Sequence, residues 1–207
     1  MKLTAGREAL LRPLQSVIGV VERRQTMPIL ANVLLVARNG QVAITATDLE
    51  VELVASAEVS VQTPGEVTVP GRKLFDICRA LPENAEVSLQ PQDKRLLVKA
   101  GKSRFTLQTL PAEDFPRLAP PAGEVARFAL GQKALRRLLA LVQYAMAQQD
   151  IRYYLNGLLM VVEDGQLKLV ATDGHRLAFA SLKLGAELPR QEVIVPRKTV
   201  LELSKLL

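Results

Sequence analysis

The chain has 207 residues, 48% of them hydrophobic and 23% charged, with a formal net charge of +6 and a pI near 9.7. That balance excludes a disordered chain and predicts a soluble protein with one complete core and part of another; the positive charge suits an anionic partner. A single cysteine, Cys78, and a single histidine, His175, leave a disulfide framework, a zinc site or a Cys/His nucleophile pair without its raw material, so neither metal nor cofactor is expected.

In chain order, residues 8–21 carry Leu10, Leu11, Leu14, Val17, Ile18 and Val21 at helical spacing, and the runs 29–37, 41–47 and 51–61 read as strands. Pro13 lies inside that helix, where it removes a hydrogen bond, so a kink or a late start is expected. Asn39-Gly40 divides the second and third strands in the manner of a two-residue type I′ hairpin. After Pro70 a short helix over 72–81 and strands at 85–91, 95–100 and 104–110 complete a first domain. The proline-rich run 116–126, PRLAPPAGEVA, reads as the connection; the boundaries adopted are 1–118, a linker 119–126 and a second domain 127–207.

The second domain repeats the first. Residues 3–10 parallel 128–135, 29–36 parallel 154–161 and 46–56 parallel 171–181, all at an offset of 125, while 67–81 parallels 193–207 with its prolines at 126. Such a period is far longer than a solenoid repeat, so each copy should be a domain with its own core, opening on a strand and a helix. Asp164-Gly165 repeats the hairpin signal of Asn39-Gly40. The strands of 85–110 have no counterpart before Leu207, so the second domain is expected to lack its last three strands and to leave a sheet open.

Cations fall away from the apolar stripes of the helices: Arg7, Arg12 and Arg79 in the first copy, Lys133, Arg136, Arg137, Arg197, Lys198 and Lys205 in the second. Such faces are ordinarily solvated, but repeated helices with one basic face can also track a phosphate backbone without reading bases. Arg23-Arg24 and Gln148-Gln149 occupy matching loops. All three tyrosines, Tyr144, Tyr153 and Tyr154, lie within eleven positions beside Arg152, where an aromatic face can stack on an unpaired base. Tyr154 aligns with Ile29 and is expected in the core; Tyr153 is left open.

The copies diverge most sharply after a shared Ala-Thr-Asp, where Leu49-Glu50-Val51-Glu52 becomes Gly174-His175-Arg176-Leu177. Glycine opens the backbone, Arg176 supplies a forked donor, and Leu177 with Leu155 supplies apolar walls for a short peptide. Asp173 beside His175 also fits a catalytic pair. Asp48 occupies the same place with no histidine near it, which favours a turn role for both aspartates.

These residues resemble the bacterial sliding-clamp family, the beta subunit of DNA polymerase III. The likeness is carried by TMPILANVLL, TATDLEVEL, TVPGRKLFDICRALP, SRFTLQTLPAEDFP, MAQQDIRYYLNG, VATDGHRLA and VIVPRK. It implies an α+β DNA-clamp fold, with repeated domains of two helices packed on antiparallel sheets and an incomplete second domain. In the family three such domains per subunit close a homodimeric ring, helices inward. It further implies a cytoplasmic, non-catalytic processivity factor. Its partners would be duplex and primed DNA, replicative and other DNA polymerases, the clamp loader and mismatch-repair proteins, with no membrane role. By position, Arg24, Gln149, Tyr153, Tyr154, Arg197, Lys198 and Lys205 match DNA-contacting residues. Leu155, Thr172, Gly174, His175, Arg176 and Leu177 match one wall of the peptide pocket; Lys73, Ile77, Phe105 and Leu107 match the subunit interface. The rival readings are a two-domain nucleic-acid-binding protein that forms no ring, and a hydrolase using Asp173 and His175.

Overall fold

The computed structural model describes residues 1–21, 27–119 and 127–207. The chain divides into two compact units, Met1–Ala119 and Pro120–Leu207. Among the described residues the architecture is α+β, with four α-helices and three antiparallel sheets.

In the first unit, β1 (Lys2–Gly6) runs into α1 (Arg7–Val17), and β2 (Asn32–Arg38), β3 (Gln41–Thr47) and β4 (Glu52–Glu58) follow. Then come β5 (Ser60–Thr63), β6 (Gly65–Pro70), α2 (Gly71–Ala80), β7 (Glu86–Gln92), β8 (Arg95–Ala100) and β9 (Ser103–Gln108). One sheet has the order β5-β1-β7-β8-β9 and the other β4-β3-β2-β6. Leu10, Leu14 and Val17 recur at helical spacing and are buried, as are Leu74 and Cys78 of α2, so both helices turn one stripe onto the core with Leu35, Ile44 and Leu89. Cys78 is a core atom, not a nucleophile: burial pushes its thiol up to about 11, against a smaller opposing effect of Arg7.

Arg7 departs from the basic-face expectation. Its Nε donates to the carbonyl of Cys78 at 3.0 Å and its Nη2 to that of Arg79 at 3.1 Å, satisfying orphan carbonyls at the end of α2. The late start expected from Pro13 does not occur. α1 begins at the position equivalent to Gln132, where α3 (Gln132–Val142) begins, and Pro13 is itself buried. The run 51–61 is two strands: it breaks at Val59, and β5 leaves the β4 sheet to pair with β1.

The second unit continues with β10 (Gly157–Glu163), β11 (Gln166–Thr172), β12 (Leu177–Lys183), β13 (Gln191–Pro196) and α4 (Arg197–Leu206). Its sheet order, β12-β11-β10-β13, reproduces β4-β3-β2-β6 of the first unit. Leu139, Val142, Leu158, Leu167 and Val200 form its core. Both predicted hairpins hold. Asn39 and Gly40 have φ of 51° and 74° between the paired Arg38 and Gln41; Asp164 and Gly165 have 50° and 64° between Glu163 and Gln166. The opening strand expected for this copy is not formed: residues 127–130 belong to no ladder. β1 is held between β5 and β7, whereas among the described residues no strand of the second unit pairs with 127–130. The linker residues 120–126 lie outside the described residues, as do Arg23 and Arg24.

Candidate peptide pocket and nucleic-acid face

The divergent segment is carried by one turn built twice. In the first unit Thr47 Oγ1 accepts from Leu49 N at 3.1 Å, and Asp48 Oδ1 accepts from Glu50 N and Val51 N at 3.0 and 2.8 Å. In the second, Thr172 Oγ1 accepts from Gly174 N at 3.1 Å, and Asp173 Oδ1 accepts from His175 N and Arg176 N, both at 3.0 Å. These side chains stand in for a ladder where the strands part. The turn role of both aspartates is therefore what the structure shows. Asp173 Oδ2 is engaged by Arg176 Nε at 2.9 Å, so its carboxylate is committed to the turn and to arginine, and backbone N–H bonds hold its pKa below the usual carboxylate range.

The third turn residue has positive φ in both copies, 79° at Leu49 and 90° at Gly174. A leucine there carries the left-handed penalty of about 1–2 kcal/mol that glycine escapes. Leu49→Gly is expected to stabilise the first unit by ~1 kcal/mol, less the entropy glycine adds to the unfolded chain. Urea unfolding reads this as a higher midpoint at constant slope; an unchanged or lower midpoint would contradict it.

Around the second turn the loop 150–156 is tied to itself. Asp150 N donates to Asn156 Oδ1 at 2.9 Å while Asn156 Nδ2 donates to the Asp150 carbonyl at 2.8 Å. Arg152 grips both Asp150 oxygens, at 3.0 and 2.9 Å, and this pairing holds the Asp150 carboxyl at about 2. The guanidinium lies beside Gly174, where a Cβ would sit 3.2 Å from Nη2. Thus Arg152, which the sequence reading placed only near the tyrosines, borders the pocket. Leu155 is buried, its N–H on the Arg152 carbonyl, and Leu177 is 64% exposed at the start of β12. Arg176 lies over the ring of Tyr144, 5.6 Å from its centroid. Thr172 Oγ1 also donates to the Arg176 carbonyl at 2.7 Å.

The same loop presents the tyrosines. Tyr153 is 81% exposed and meets Tyr154 edge-on at 5.8 Å between centroids. Tyr154 is 50% exposed whereas Ile29 is 7% exposed, so Tyr154 is not the core residue its alignment predicted. The hydroxyl-bearing ring cannot be buried without a partner for its O–H, and the surface position leaves that group hydrated. Gln149 is exposed with φ 59° and Ile151 is 98% exposed; no sequence periodicity marks Ile151 as a surface residue.

On α4, Arg197 Nη1 donates to the Met146 carbonyl at 3.3 Å, Lys198 is half-buried, and Lys205 Nζ meets Glu202 Oε1 at 2.6 Å. The first unit has a matching cation that the sequence reading missed. Arg72 Nη2 donates to the carbonyl of Val21, the counterpart of Met146. The signal was the Arg-Lys pair after each helix-opening proline, displaced by one residue in the first copy. A Cβ on Gly71 would lie 2.7 Å from Val33 Cγ1, so Gly71 cannot carry the side chain that Arg197 does.

In the first unit Lys73 is exposed and Ile77 half-buried on α2, and Phe105 is on β9, the end strand of its sheet. Leu107, two residues along the same face as Phe105, is buried in the core with Ile77 packed against that cluster.

A family model described as the DNA polymerase III beta subunit N-terminal domain matches residues 1–119, and one described as its central domain matches residues 129–207. The beta sliding clamp of Pseudomonas aeruginosa is 55% identical over 211 residues, and that of Escherichia coli K12 52% identical over 208. Each alignment covers 100% of this chain and 57% of the relative, so the chain spans little more than half the length of the curated relatives it matches. Among solved structures, Caulobacter crescentus pol III beta aligns with a TM-score of 0.94 at 44% identity, covering 100% of this chain and 57% of that one. A Pseudomonas aeruginosa sliding clamp bound to griselimycin aligns at 0.93 and 54%, covering 100% and 56%.

Proposed function

The chain belongs to the DNA polymerase III beta-subunit family, and from that premise we propose that it supplies the first two domains of a sliding clamp. In this reading the assembled ring is cytoplasmic and has no catalytic chemistry. It encircles duplex DNA and holds polymerases, clamp loader and repair proteins by their clamp-binding peptides. The observation that carries the proposal is the second Thr-Asp turn. The fold of the turn is unchanged from the first copy, yet it displays Gly174, His175, Arg176 and Leu177 with Arg152 alongside. A scaffold kept constant while its displayed residues change supports a recognition role; the engaged Asp173 counts against the hydrolase.

DNA contact is assigned to Arg24, Gln149, Tyr153, Tyr154, Arg197, Lys198 and Lys205, with Arg72 added from its match to Arg197. Lys73, Ile77, Phe105 and Leu107 are assigned to the subunit interface. Sliding requires weak, sequence-blind contact, so affinity should come from phosphate neutralisation. In fluorescence anisotropy with a labelled duplex, this chain is expected to bind weakly, with log affinity falling linearly against log salt. Arg197→Glu should lower the affinity about tenfold at low salt and shorten the slope by about one phosphate. Binding that ignores salt, or that is unmoved by Arg197→Glu in a variant with unchanged melting, would reject the basic face. Tighter retention on one DNA sequence than another would favour the stand-alone binding protein.

A further inference from the structure

We propose that Tyr144 is a positioning residue for the peptide pocket: its ring face holds the Arg176 guanidinium in the orientation that receives a ligand. The inference rests on the pocket reading above and adds to it a residue that composition and alignment alone do not place there.

The geometry is specific. Tyr144 is half exposed on the single 3-10 turn Gln143–Ala145 that follows α3, and the Arg176 Cζ lies 5.6 Å from its ring centroid. That distance is within the range where a guanidinium is attracted to an aromatic face. Arg176 is restrained from three further directions. Its N–H bonds Asp173 Oδ1, its carbonyl accepts from Thr172 Oγ1, and its Nε bonds Asp173 Oδ2. Asp173 therefore fixes one edge of the fork, and the tyrosine ring lies under its Cζ. With Nε committed, the outer Nη groups remain as the ones directed to a ligand carbonyl or carboxylate.

The repeat offers an internal control. The positions equivalent to Tyr144 and Arg176 are Gly19 and Val51, so neither ring nor cation exists in the first copy, although its Thr47-Asp48 turn has the same hydrogen bonds. The turn needs no stack in order to fold. The aromatic and the arginine occur together in the copy that displays the pocket, and the pair accounts for a side-chain orientation that the turn itself does not dictate.

The test is a cycle of Tyr144→Phe, Tyr144→Ala, Arg176→Ala and the Tyr144→Ala, Arg176→Ala double variant in this chain, read in two ways. Without ligand, the Arg176 Nε–H signal is followed by NMR. It should exchange slowly with water in the parent and Tyr144→Phe, and several-fold faster in Tyr144→Ala. With griselimycin as probe, Tyr144→Phe should bind as the parent does, because the ring face and not the hydroxyl is used. Tyr144→Ala should bind about two- to fivefold more weakly, the fold-change an exposed cation–π contact supports. It should have no further effect when Arg176 is already alanine. Equal losses from Tyr144→Ala in both Arg176 backgrounds, or a loss in Tyr144→Phe as large as in Tyr144→Ala, would overturn the proposal. If the parent fails to bind griselimycin, one wall of the pocket is not enough to hold it, and the ligand-free exchange rates decide whether Tyr144 holds Arg176. Unchanged exchange in Tyr144→Ala overturns the positioning.

Discussion

Gly157→Val is expected to unfold the second unit while the first stays folded. Gly157 opens β10 opposite Pro196, and a Cβ there would lie 2.4 Å from the Val195 carbonyl oxygen and 3.1 Å from its carbon. Backbone is the obstacle, so no rotamer change relieves the clash. β13 must separate from β10 or the strand must bend. The same junction starts α4, whose first N–H, that of Arg197, donates to the Asn156 carbonyl at 2.9 Å, so displacing β13 also detaches a helix that contributes Val200 to the core. Overpacking of this kind costs about 3 kcal/mol or more, a large share of the stability of a small core. Hydrogen exchange read by mass spectrometry should show lost protection across 157–206 and retained protection across β1, β7 and β8. Gly131→Ala is the control, since nothing lies within 4 Å of a Cβ there and the backbone is ordinary at φ −66°. Protection of β10 that survives Gly157→Val would show that the strands can part without cost, against the packing described.

Gly174→Leu should abolish ligand binding in a folded protein. The first copy already carries leucine at the equivalent position with φ 79°, so the turn tolerates it at a cost of about 1–2 kcal/mol. What changes is the space beside Arg152: the new Cβ lies 3.2 Å from one guanidinium nitrogen, so that this flexible side chain gives by a few tenths of an ångström, and 3.5 Å from the other, an ordinary contact. Arg152 keeps its forked grip on Asp150, but the leucine side chain enters the space over the turn that a ligand would need. On the proposed pocket reading, titration with griselimycin, the ligand bound to a Pseudomonas aeruginosa clamp, should move the Gly174–Leu177 amide signals of the parent in NMR. In the variant the affinity should fall more than about tenfold, at least 1.4 kcal/mol, while the Asp150 carboxyl, still paired with Arg152, stays at about 2. That carboxyl contributes stability above its unfolded pKa, and the contribution is lost as pH falls through the folded one. The variant, which keeps the Asp150–Arg152 pair, should therefore lose this loop's order over the same acid range as the parent. Retained binding would place the ligand elsewhere.

The parts of this structure legible from sequence are those whose physics is local. Asn39-Gly40 and Asp164-Gly165 announce their turns because two adjacent positive φ angles admit few residues, and Leu10, Leu14 and Val17 announce α1 by spacing alone. The Thr-Asp turns were legible as turns because both copies share them. What failed was pairing at a distance. The strand-like run at 127–130 resembles β1, yet a strand exists only with a ladder, and β1 owes its place to β5 and β7. The switch of β5 into a second sheet leaves no mark in period-two alternation. Arg7 looked like a surface cation because the carbonyls it caps are more than seventy residues away. Tyr154 was misread because alignment to Ile29 transfers position but not polarity.

The Thr-Asp turn keeps its shape with two side chains and its own backbone, and of the residues it presents only the third position, with its positive φ, is constrained by the fold. The others are thereby released from folding duty, and mutation there can explore new chemistry without first endangering the scaffold. On the proposed reading, duplication left one platform without a ligand while the other took on a binding vocabulary. Gly174-His175-Arg176-Leu177 is in this sense a cassette, and transplanting it into positions 49–52 would show how much of the specificity travels with four residues and how much stays behind in the neighbourhood of Tyr144 and Arg152.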